Sequence, residues 1–565
     1  MNLQAIYHRP ESNYCFAVSP TKLTLRIRFA KGEKLDSVAV LHNTKYDIAS
    51  KQFKSQMPLA FSDGLFDYYS VTLDLSDRRI AYVFEITVNN AVKYFCEDGL
   101  IDGYDFDIAY FNSFQFAYIH DSDVVKQTDW LTNAVFYQIF TDRFYKPLNK
   151  QGSYINSQWG ELPTPKSFYG GDLNGIREKL PYIKSLNVTA LYLTPIFESE
   201  SNHKYDTIDY YKVDEMFGGN AALTRLVDEC HATGLKVVLD AVFNHVSEKF
   251  APFKDVIAKG KKSKYYNWFV INGDTVDETN TNYATFAACK YMPKLNTDNP
   301  EVQQYFVDIA LFYMEKYSID GWRLDVSDEV SHSFWRKFRN AVKTKNSDCV
   351  LIGENWHNSE SFLNGDQFDS IMNYAVTKQM MDFWVYDSID AQTLACRLNA
   401  QFARYNDVVN SMMFNLLDCH DTHRFYSLLN CSKDKLLCAI AIMVFIPGSF
   451  NLYYGTEVLT EGGYDPDSRR TFDWDKLNTP VIVQFVDKLK QLLALKRQPA
   501  LKDGTVKVYN QDGLFVIERK TDNQTLRLKV AKKAVSAKAD GIIKYNAEQN
   551  FGDNSFSIEI DGRLL

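Results

Sequence analysis

Short apolar segments alternate with longer segments of helical periodicity from residue 133 to about residue 495, and this alternation constrains the fold more than any other feature. Eight apolar segments can be counted: AVFYQIF (134–140), ALYLTP (190–195), KVVLDAVF (236–243), GWRLD (321–325), VLIGE (350–354), SIMNY (370–374), MFNLLD (413–418) and FNLYYG (450–455). Strands that alternate with helices form parallel sheets, and eight such units close into a barrel. We therefore predict an α/β fold with a (β/α)8 TIM barrel over residues 121–495.

Three further regions do not follow this repeating pattern. Residues between the third and fourth predicted strands are too many for one helix, so we predict an inserted subdomain over about 246–300, after strand 3. Residues 1–120 contain alternating runs such as LTLRIRFA, and alternation returns over residues 496–565 in runs such as TLRLKV. A period of two is typical of half-buried antiparallel strands. We predict β-sandwich domains at both the N-terminal and the C-terminal ends.

Charge and hydropathy argue against two classes of partner. The chain has 63 basic and 71 acidic side chains, a formal net charge of -8, whereas nucleic acids and anionic membranes bind basic surfaces. The longest apolar run, LLCAIAIMVFI (436–446), is too short to span a bilayer and predicts a buried helix. We expect no nucleic-acid partner and no membrane partner.

Cysteine usage and the first residues predict a cytoplasmic location. The nine cysteines are odd in number and scattered, without a C-x-x-C pair, which disfavours a disulfide framework and a zinc site. The sequence MNLQAIYHRPESNY lacks the basic and apolar regions of a signal peptide. There is no Walker loop and no G-x-G-x-x-G motif, so we expect no cofactor.

Polar side chains cluster where the predicted barrel strands end, which is where barrel enzymes hold their active sites. They are Asp240, Asn244 and His245 at the end of strand 3, Arg323 and Asp325 on strand 4, Glu354 on strand 5, and Asp418, His420 and Asp421 after strand 7. None of these residues is informative alone. Their shared position predicts a catalytic site.

Arg323, Asp325 and Glu354 have the spacing expected of a retaining glycosidase. Arg323 and Asp325 are two residues apart on one strand and face the same way, so the guanidinium favours an ionised, nucleophilic Asp325. Glu354 ends the adjacent strand, about 4.8 Å away, which is near the roughly 5–5.5 Å of a retaining carboxyl pair. The Asp325 charge and partial enclosure should raise the pKa of Glu354 and keep it protonated. The alternative is a structural Arg323–Asp325 ion pair beside a solvated Glu354.

The segments that contain these residues resemble the ordered motifs of the α-amylase superfamily of glycoside hydrolases, and the resemblance covers essentially the whole chain. The four motifs are DAVFNH (240–245), GWRLDV (321–326), GENW (353–356) and LLDCHDTHR (416–424). MPKLN (292–296) resembles the extra motif of the cyclomaltodextrinase, neopullulanase and maltogenic amylase branch. YQIFTDRF, FYGGDLNGI and NHKYDTIDYY support the same branch.

The resemblance implies catalytic roles for three carboxyl groups. Asp325 would be the nucleophile, Glu354 the general acid/base, and Asp421 the carboxylate that binds sugar hydroxyls and favours the oxocarbenium-like state. The residues that it implies in substrate binding are Tyr205, Asp240, His245, Arg323, Trp356, His420, Asp465 and Arg469.

Four of the binding residues have more specific implied roles. Tyr205 would stack on the reacting glucose, and Asp465 with Arg469 would hold the donor sugar. Trp356 would be an acceptor platform, although a lone tryptophan is more often a core residue.

Several positions near the catalytic motifs depart from the family's pattern. Ser327 and Asp328 stand where the family has Ala-Asn. Asn355 stands where an apolar residue is common, and position 423 is His. Because these positions flank the acceptor side, the sequence leaves open the balance between hydrolysis and transfer, and between α-1,4 and α-1,6 bonds.

The loop 145–158 replaces a stretch that supplies calcium ligands in many relatives. Hard cations need several oxygen ligands, and only Asn149, Asn156 and Asp172 remain as candidates. We therefore predict no metal-ligating residues and no high-affinity calcium at this place, and the sequence leaves calcium occupancy open. Asn244, a calcium ligand in other amylases, is expected to be structural here.

The resemblance implies a retaining hydrolase that cleaves α-1,4 bonds, with α-1,6 bonds left open, in cyclodextrins, maltodextrins or pullulan through a covalent glycosyl-enzyme. One alternative is a transglycosylase or α-1,6-glucosidase on the same scaffold, which its products would distinguish. The other is a non-catalytic carbohydrate-binding or partner protein, but such chains normally lack part of the carboxylate trio. The N-terminal domain resembles the carbohydrate-binding module of this branch, which implies a homodimer.

Overall fold

The computed structural model describes residues 1–538 and 548–564. These residues form a central parallel barrel, an N-terminal region of two antiparallel sheets and a C-terminal region of antiparallel sheets. The predicted fold class is confirmed. The exact boundaries at residues 120 and 495 stay predictions.

Each of the eight apolar segments forms one parallel strand of the barrel. The strands are β1 (Val135–Ile139), β2 (Ala190–Leu193), β3 (Lys236–Ala241), β4 (Gly321–Leu324), β5 (Val350–Gly353), β6 (Ser370–Ile371), β7 (Phe414–Leu416) and β8 (Ser449–Tyr453). They pair in the order β6-β5-β4-β3-β2-β1-β8-β7. A parallel bridge between Met372 and Phe414 joins the two ends, so the sheet closes.

Helices connect the barrel strands. They are Leu173–Glu178 and Leu180–Ser185 after β1, Gly219–Ala232 after β2, Pro300–Tyr317 after β3, His332–Lys345 after β4, Tyr374–Met380 and Ala391–Arg404 after β6, Lys433–Phe445 after β7, and Pro480–Ala494 after β8. Further helices are Ala109–Asn112, Asp129–Thr132, Thr141–Phe144, Ala251–Lys259, Asp407–Met412, Phe425–Leu428 and Pro499–Asp503, with a π-helix at Met381–Val385. The helix Lys433–Phe445 is buried from Leu436 onward, as its apolar sequence predicts.

The connection between β3 and the helix Pro300–Tyr317 contains the additional structure predicted for it. After the helix Ala251–Lys259 the chain folds back on itself through isolated bridges, which are Phe269–Leu295, Ile271–Tyr283, Thr285–Pro293 and His245–Lys294. The last of these bridges ties the insertion to the residues that follow β3. The insertion is therefore anchored beside the barrel mouth.

The N-terminal region packs two antiparallel sheets on a shared core. One sheet contains Cys15–Ser19, Lys22–Ala30, Phe66–Asp74 and Leu59–Ser62, and the other contains Phe53–Gln56, Ser37–Asn43, Ile80–Val88, Ala91–Cys96, Gly99–Ile101 and Phe114–Phe116. Leu25 and Ile27 from the first sheet and Phe84 and Ile86 from the second are fully buried in one hydrophobic cluster. This is the sandwich that the alternating runs predict.

The C-terminal region is also antiparallel. One sheet contains Thr505–Gln511, Leu514–Lys520, Thr525–Ala531, Ser555–Ile560 and Arg563–Leu564, and Val535–Lys538 pairs with Glu548–Phe551. Within the predicted domain 496–565, residues 539–547 and 565 lie outside the described residues. Among the helices of the described ranges, none has the length and hydropathy needed to cross a membrane.

Candidate active site

The carboxyl ends of β3, β4 and β5 bring four predicted site residues together. β4 pairs in parallel register with β3 on one side and β5 on the other. Asp325 and Glu354 follow directly after the last residues of β4 and β5, so they emerge side by side at one end of the barrel. Asp240 and Arg323, which pair with each other across β3 and β4, lie beneath them and are buried.

Arg323 contacts all three carboxyl groups. Its Nη1 lies 3.0 Å from Oδ1 of Asp240 and 2.6 Å from Oδ1 of Asp325. Its Nη2 lies 2.9 Å from Oε2 of Glu354, an ion pair without hydrogen-bond alignment. Because one guanidinium cannot neutralise three buried carboxylates, the cluster holds protons to higher pH than free carboxyl groups would.

Burial dominates the acidity of this cluster. It raises the pKa of Asp240 to about 6 and raises the pKa of Asp325, while the charge of Arg323 opposes both shifts. Burial also raises the pKa of Glu354, with a further contribution from the negative charge of Asp421. For Glu354 the direction agrees with the expectation from sequence. For Asp325 the expectation from sequence considered only the charge of Arg323, which lowers the pKa. Burial and the neighbouring carboxyl groups raise the pKa of Asp325 and outweigh that charge.

The residue after Asp325 has an unusual backbone conformation. Val326 has φ 45° and ψ 43°, in the left-handed region that β-branched residues rarely adopt. From this conformation its N–H donates a hydrogen bond to Oε2 of Glu354 over 2.9 Å. Backbone strain of this kind costs about 1–3 kcal/mol and persists where the surroundings enforce it. Here it orients the carboxyl group of Glu354.

Tyr205 and His420 form one wall of the site. Tyr205 lies in the loop between two short antiparallel strands, Phe197–Glu198 and Asp209–Val213. Its ring stacks on His420 with centroids 5.4 Å apart and planes 4° apart, and its hydroxyl donates to Oδ2 of Asp240 over 3.0 Å. Burial lowers the pKa of His420, so its imidazole is neutral. These contacts fix both rings.

Asp421, Asp465 and Arg469 form a second charged cluster beside the first. Arg469 lies 2.9 Å from Oδ1 of Asp465 and 3.3 Å from Oδ1 of Asp421, and its Nε donates to the backbone oxygen of His420 over 2.8 Å. The side chain of Asp421 is 30% exposed, against 7% for Asp325 and 7% for Glu354. Asp421 is therefore the most accessible of the three predicted catalytic carboxyl groups.

Direct contacts join nine of the predicted site residues into one continuous network. The two others are Trp356 and His245, which belong to the motifs GENW and DAVFNH. Trp356 is 53% exposed and lies flat on Tyr374, with ring centroids 3.7 Å apart. It is an exposed residue and not a core residue, and its role as an acceptor platform stays a prediction. His245 is buried and stacks on Phe286, and its Nε2 has no hydrogen-bond partner within the described ranges.

Two buried residues support the site and were not predicted. The hydroxyl of Tyr192 on β2 donates to Oδ2 of Asp240 over 2.7 Å, and the amide of Gln138 on β1 lies 2.8 Å from Nδ1 of His420. Each is a polar group in an otherwise apolar barrel strand. That pattern is the signal from which the sequence could have identified them.

Two of the residues considered as calcium ligands, Asp172 and Asn244, contact lysine side chains. Asp172 forms an ion pair with Lys150 at 2.9 Å. Oδ1 of Asn244 accepts a hydrogen bond from Lys294, whose ammonium group also lies 3.0 Å from Oε2 of Glu329. An ammonium group and a calcium ion compete for the same oxygen atoms. The oxygens of Asp172 and Asn244 therefore do not fit a calcium ion.

Comparison with known proteins gives consistent matches over most of the chain. Residues 138–491 match the α-amylase catalytic domain, and residues 1–120 match the α-amylase N-terminal Ig-like domain. The chain is 39% identical to "Neopullulanase 2" of Thermoactinomyces vulgaris over 535 residues, 93% of this chain and 90% of that protein. It is 36% identical to "Intracellular maltogenic amylase" of Bacillus subtilis over 504 residues, 88% and 85% of the two chains. A solved cyclomaltodextrinase structure matches with a TM-score of 0.89 at 34% identity, covering 96% of this chain and 94% of that one.

The barrel and its acidic site define a class of enzyme. Paired carboxyl groups at the carboxyl end of a (β/α)8 barrel, next to further hydrogen-bonding side chains, are typical of glycoside hydrolases. The family matches and the extent of the similarity agree with that class. The chain belongs to the α-amylase family of glycoside hydrolases.

Proposed function

We propose that the protein is a retaining hydrolase of α-1,4-glucosidic bonds in cyclodextrins and maltodextrins, with the α-1,6 bonds of pullulan as further substrates. The observation that carries this proposal is that Asp325 and Glu354 emerge from adjacent strands and share the guanidinium of Arg323. An inverting pair lies about 6.5–9.5 Å apart to admit a water molecule, whereas a retaining pair lies closer. The substrate class is supported by the names of the relatives, a neopullulanase, a maltogenic amylase and a cyclomaltodextrinase.

The proposed reaction has two displacement steps. In the first, a carboxylate oxygen of Asp325 bonds to the anomeric carbon, the glucosidic C–O bond breaks, and Glu354 gives its proton to the leaving oxygen. In the second, Glu354 takes a proton from water, the water oxygen bonds to the anomeric carbon, and Asp325 is released. Two inversions give net retention. The raised pKa of Glu354 supports its part in the first step because the acid must hold a proton.

The surrounding residues are proposed to bind the sugar in the reacting position. Asp421, the most accessible carboxylate of the trio, would accept hydrogen bonds from sugar hydroxyls. Neutral His420 would bind further hydroxyls, as would Nε2 of His245, which has no hydrogen-bond partner among the described residues. Tyr205 would pack against the reacting ring. On the donor side, Arg469 and Asp465 would hold the next sugar.

A second candidate activity is transfer of the glycosyl group to another sugar. It is favoured by the exposure of Trp356, whose ring offers a flat surface beside the acid/base residue. An acceptor sugar and a water molecule would compete for the same glycosyl-enzyme, so hydrolysis and transfer would occur at one site.

We also propose a cytoplasmic homodimer that needs no metal. The name of the Bacillus subtilis relative supports an intracellular location, as do the nine cysteines, which all lie in described parts of the chain and are free thiols. The dimer is proposed from the resemblance of the N-terminal domain alone. Metal independence is supported by Lys150 and Lys294, whose ammonium groups bind the oxygens that a cation would need.

Product analysis tests the proposed function. Wild type and Asp325→Ala are incubated with β-cyclodextrin, maltotriose, pullulan and soluble starch, and Asp228→Ala, which changes an exposed carboxylate on the helix Gly219–Ala232, is the control. We expect wild type and control to open cyclodextrin faster than starch, and Asp325→Ala to be inactive. Activity confined to α-1,6 substrates would contradict the substrate assignment. No wild-type activity on any of them would contradict the proposal as a whole.

A further inference from the structure

Two residues that depart from the family's pattern contact each other. The hydroxyl oxygen of Ser327 lies 2.6 Å from Oδ1 of Asn355, and both side chains are fully buried. Ser327 is two residues after Asp325, and Asn355 directly follows Glu354. The contact therefore joins the segment behind the candidate nucleophile to the segment behind the candidate acid/base.

Further hydrogen bonds extend this contact on both sides. The amide nitrogen of Asn355 donates to Oγ of Ser359 over 3.0 Å, and the indole N–H of Trp335 donates to the backbone oxygen of Ser327 over 2.8 Å. Both ends of the Asn355 amide are thus paired. The hydroxyl of Ser327 also lies 3.1 Å from the backbone oxygen of Glu354. Ser327→Ala therefore leaves Oδ1 of Asn355 without this donor, and Asn355→Val leaves Ser327 with the backbone oxygen of Glu354, so either change breaks the link between the two side chains.

A second contact joins the same two segments nearer the surface. Oδ2 of Asp328 lies 3.0 Å from Nε2 of His357. Asn355 and His357 are the two chain neighbours of Trp356. Trp356 is therefore held from both sides by links to the segment after β4, while its ring rests on Tyr374.

We propose that the Ser327–Asn355 contact, assisted by Asp328–His357, fixes the orientation of Trp356 and thereby sets how often a sugar accepts the glycosyl group in place of water. Ser327 and Asn355 act through Trp356 and are positioning residues. This inference rests on the proposed function and names the determinant of its transfer activity.

The physical reason is the difference between the two acceptors. In both cases the acceptor oxygen bonds to the anomeric carbon, its proton passes to Glu354, and the bond to Asp325 breaks. An acceptor sugar loses translational and rotational freedom when it binds, and a fixed aromatic platform reduces the further cost of ordering the site. Water needs no such platform. Loosening Trp356 therefore reduces transfer more than hydrolysis.

A double-mutant cycle tests the proposal. Ser327→Ala, Asn355→Val and the double variant are compared with wild type, using maltotriose as donor and glucose as acceptor, and the ratio of transfer to hydrolysis products is measured by chromatography. We expect each single variant to lower the ratio about fivefold, mainly through a higher KM for glucose. The double variant should lower the ratio no further than a single variant does, because losing either partner already removes the contact.

Two further variants separate positioning from general destabilisation. Asp328→Asn weakens the link nearer the surface without disturbing the buried pair, and it should lower the ratio about twofold. Asn399→Val is the matched control: Asn399 is a buried amide on the helix Ala391–Arg404 that donates to backbone oxygens of Ser62 and Val508. It should lower the Tm and leave the ratio unchanged.

The outcomes distinguish this inference from the proposed function. The inference would be overturned by single variants that keep the wild-type ratio of transfer to hydrolysis products, or by a double variant whose effect is the sum of the two single effects. In either case, hydrolysis by the wild type would still support the proposed function. A shift of the ratio in Asn399→Val as large as in Asn355→Val would also overturn it. A wild-type protein inactive on every α-glucan would overturn both.

Discussion

Arg323 places one terminal nitrogen 2.9 Å from Oε2 of Glu354, which directly follows the adjacent strand of the barrel. Both side chains are buried. The other terminal nitrogen contacts Asp325 and Asp240. One arginine therefore supplies the positive charge that Asp325 and Glu354 share.

Replacing Arg323 should abolish activity. In Arg323→Met the buried carboxyl groups lose their only ion-pair partner within 4 Å among the described residues, a change that typically costs about 3–5 kcal/mol. We expect kcat/KM on β-cyclodextrin to fall about a thousandfold or more and the Tm to fall with it. Arg323→Lys keeps the charge but cannot contact the carboxyl groups with two fixed nitrogens, so it should retain only a small part of the wild-type activity. Activity above one tenth of wild type in Arg323→Met would contradict this account.

Asp421→Asn should shift the pH dependence of catalysis. The charge of Asp421 contributes to the raised pKa of Glu354, so removing that charge lowers the pKa of Glu354. Because the acid must be protonated in the first step, the alkaline limb of the kcat/KM profile should move to lower pH. The profile is measured on maltotriose, with Asp228→Asn as a control that leaves the limb in place. An alkaline limb that stays in place or moves to higher pH in Asp421→Asn would show that Asp421 does not act on Glu354 in this way.

Glu457 should make stability depend on pH without taking part in catalysis. It is buried, accepts a hydrogen bond from Tyr182 over 3.2 Å and contacts the hydroxyl of Tyr137. Burial raises its pKa from 4.5 to about 7. A carboxyl group whose pKa is higher in the folded than in the unfolded state stabilises the fold. This stabilisation is complete below the pKa of the unfolded state and is lost as the pH rises through the pKa of the folded state.

The test compares wild type with Glu457→Gln by thermal unfolding between pH 4.5 and 8. Relative to the variant, wild type should lose roughly 3 kcal/mol of unfolding free energy across this interval, nearly all of it below about pH 7. A stability difference that is independent of pH, or one that grows in favour of wild type as pH rises, would contradict the buried acid assignment.

Chelation should leave the protein unaffected. The Lys150–Asp172 ion pair, at 2.9 Å, holds together the loop after β1 and the start of the helix Leu173–Glu178. We expect EDTA to change neither the Tm nor the activity on β-cyclodextrin, and Lys150→Ala to lower the Tm by several degrees because Asp172 is then buried without a cation. A wild-type Tm that falls in EDTA and returns with calcium would contradict metal independence.

The barrel could be predicted because each strand is a short, nearly continuous apolar run bounded by polar residues. Both faces of a parallel barrel strand are buried, and this leaves a signal in local sequence. The closing bridge between Met372 and Phe414 left no such signal. β6 is only two residues long, so closure depends on the packing of the other strands.

The candidate site was predictable where it depends on strand position and not where it depends on packing. Asp325 and Glu354 could be placed side by side because each ends an adjacent strand. The left-handed conformation of Val326 and the stacking of Tyr205 on His420 could not, because both are imposed by residues distant in sequence.

Ser327 and Asn355 illustrate the same limit. Each stands out singly as a departure from the family's pattern, but 28 residues separate them and only the fold brings them into contact.

Trapping the glycosyl-enzyme tests the central claim, that Asp325 is the nucleophile of a retaining mechanism, most directly. Glu354→Gln is incubated with α-maltosyl fluoride, whose leaving group needs no acid, so that the first step proceeds and the second, which lacks its base, is slow. Peptide mass spectrometry should then find a maltosyl adduct on Asp325, absent from the Asp325→Ala/Glu354→Gln variant. An adduct on another residue, or a first product of inverted anomeric configuration, would contradict the account.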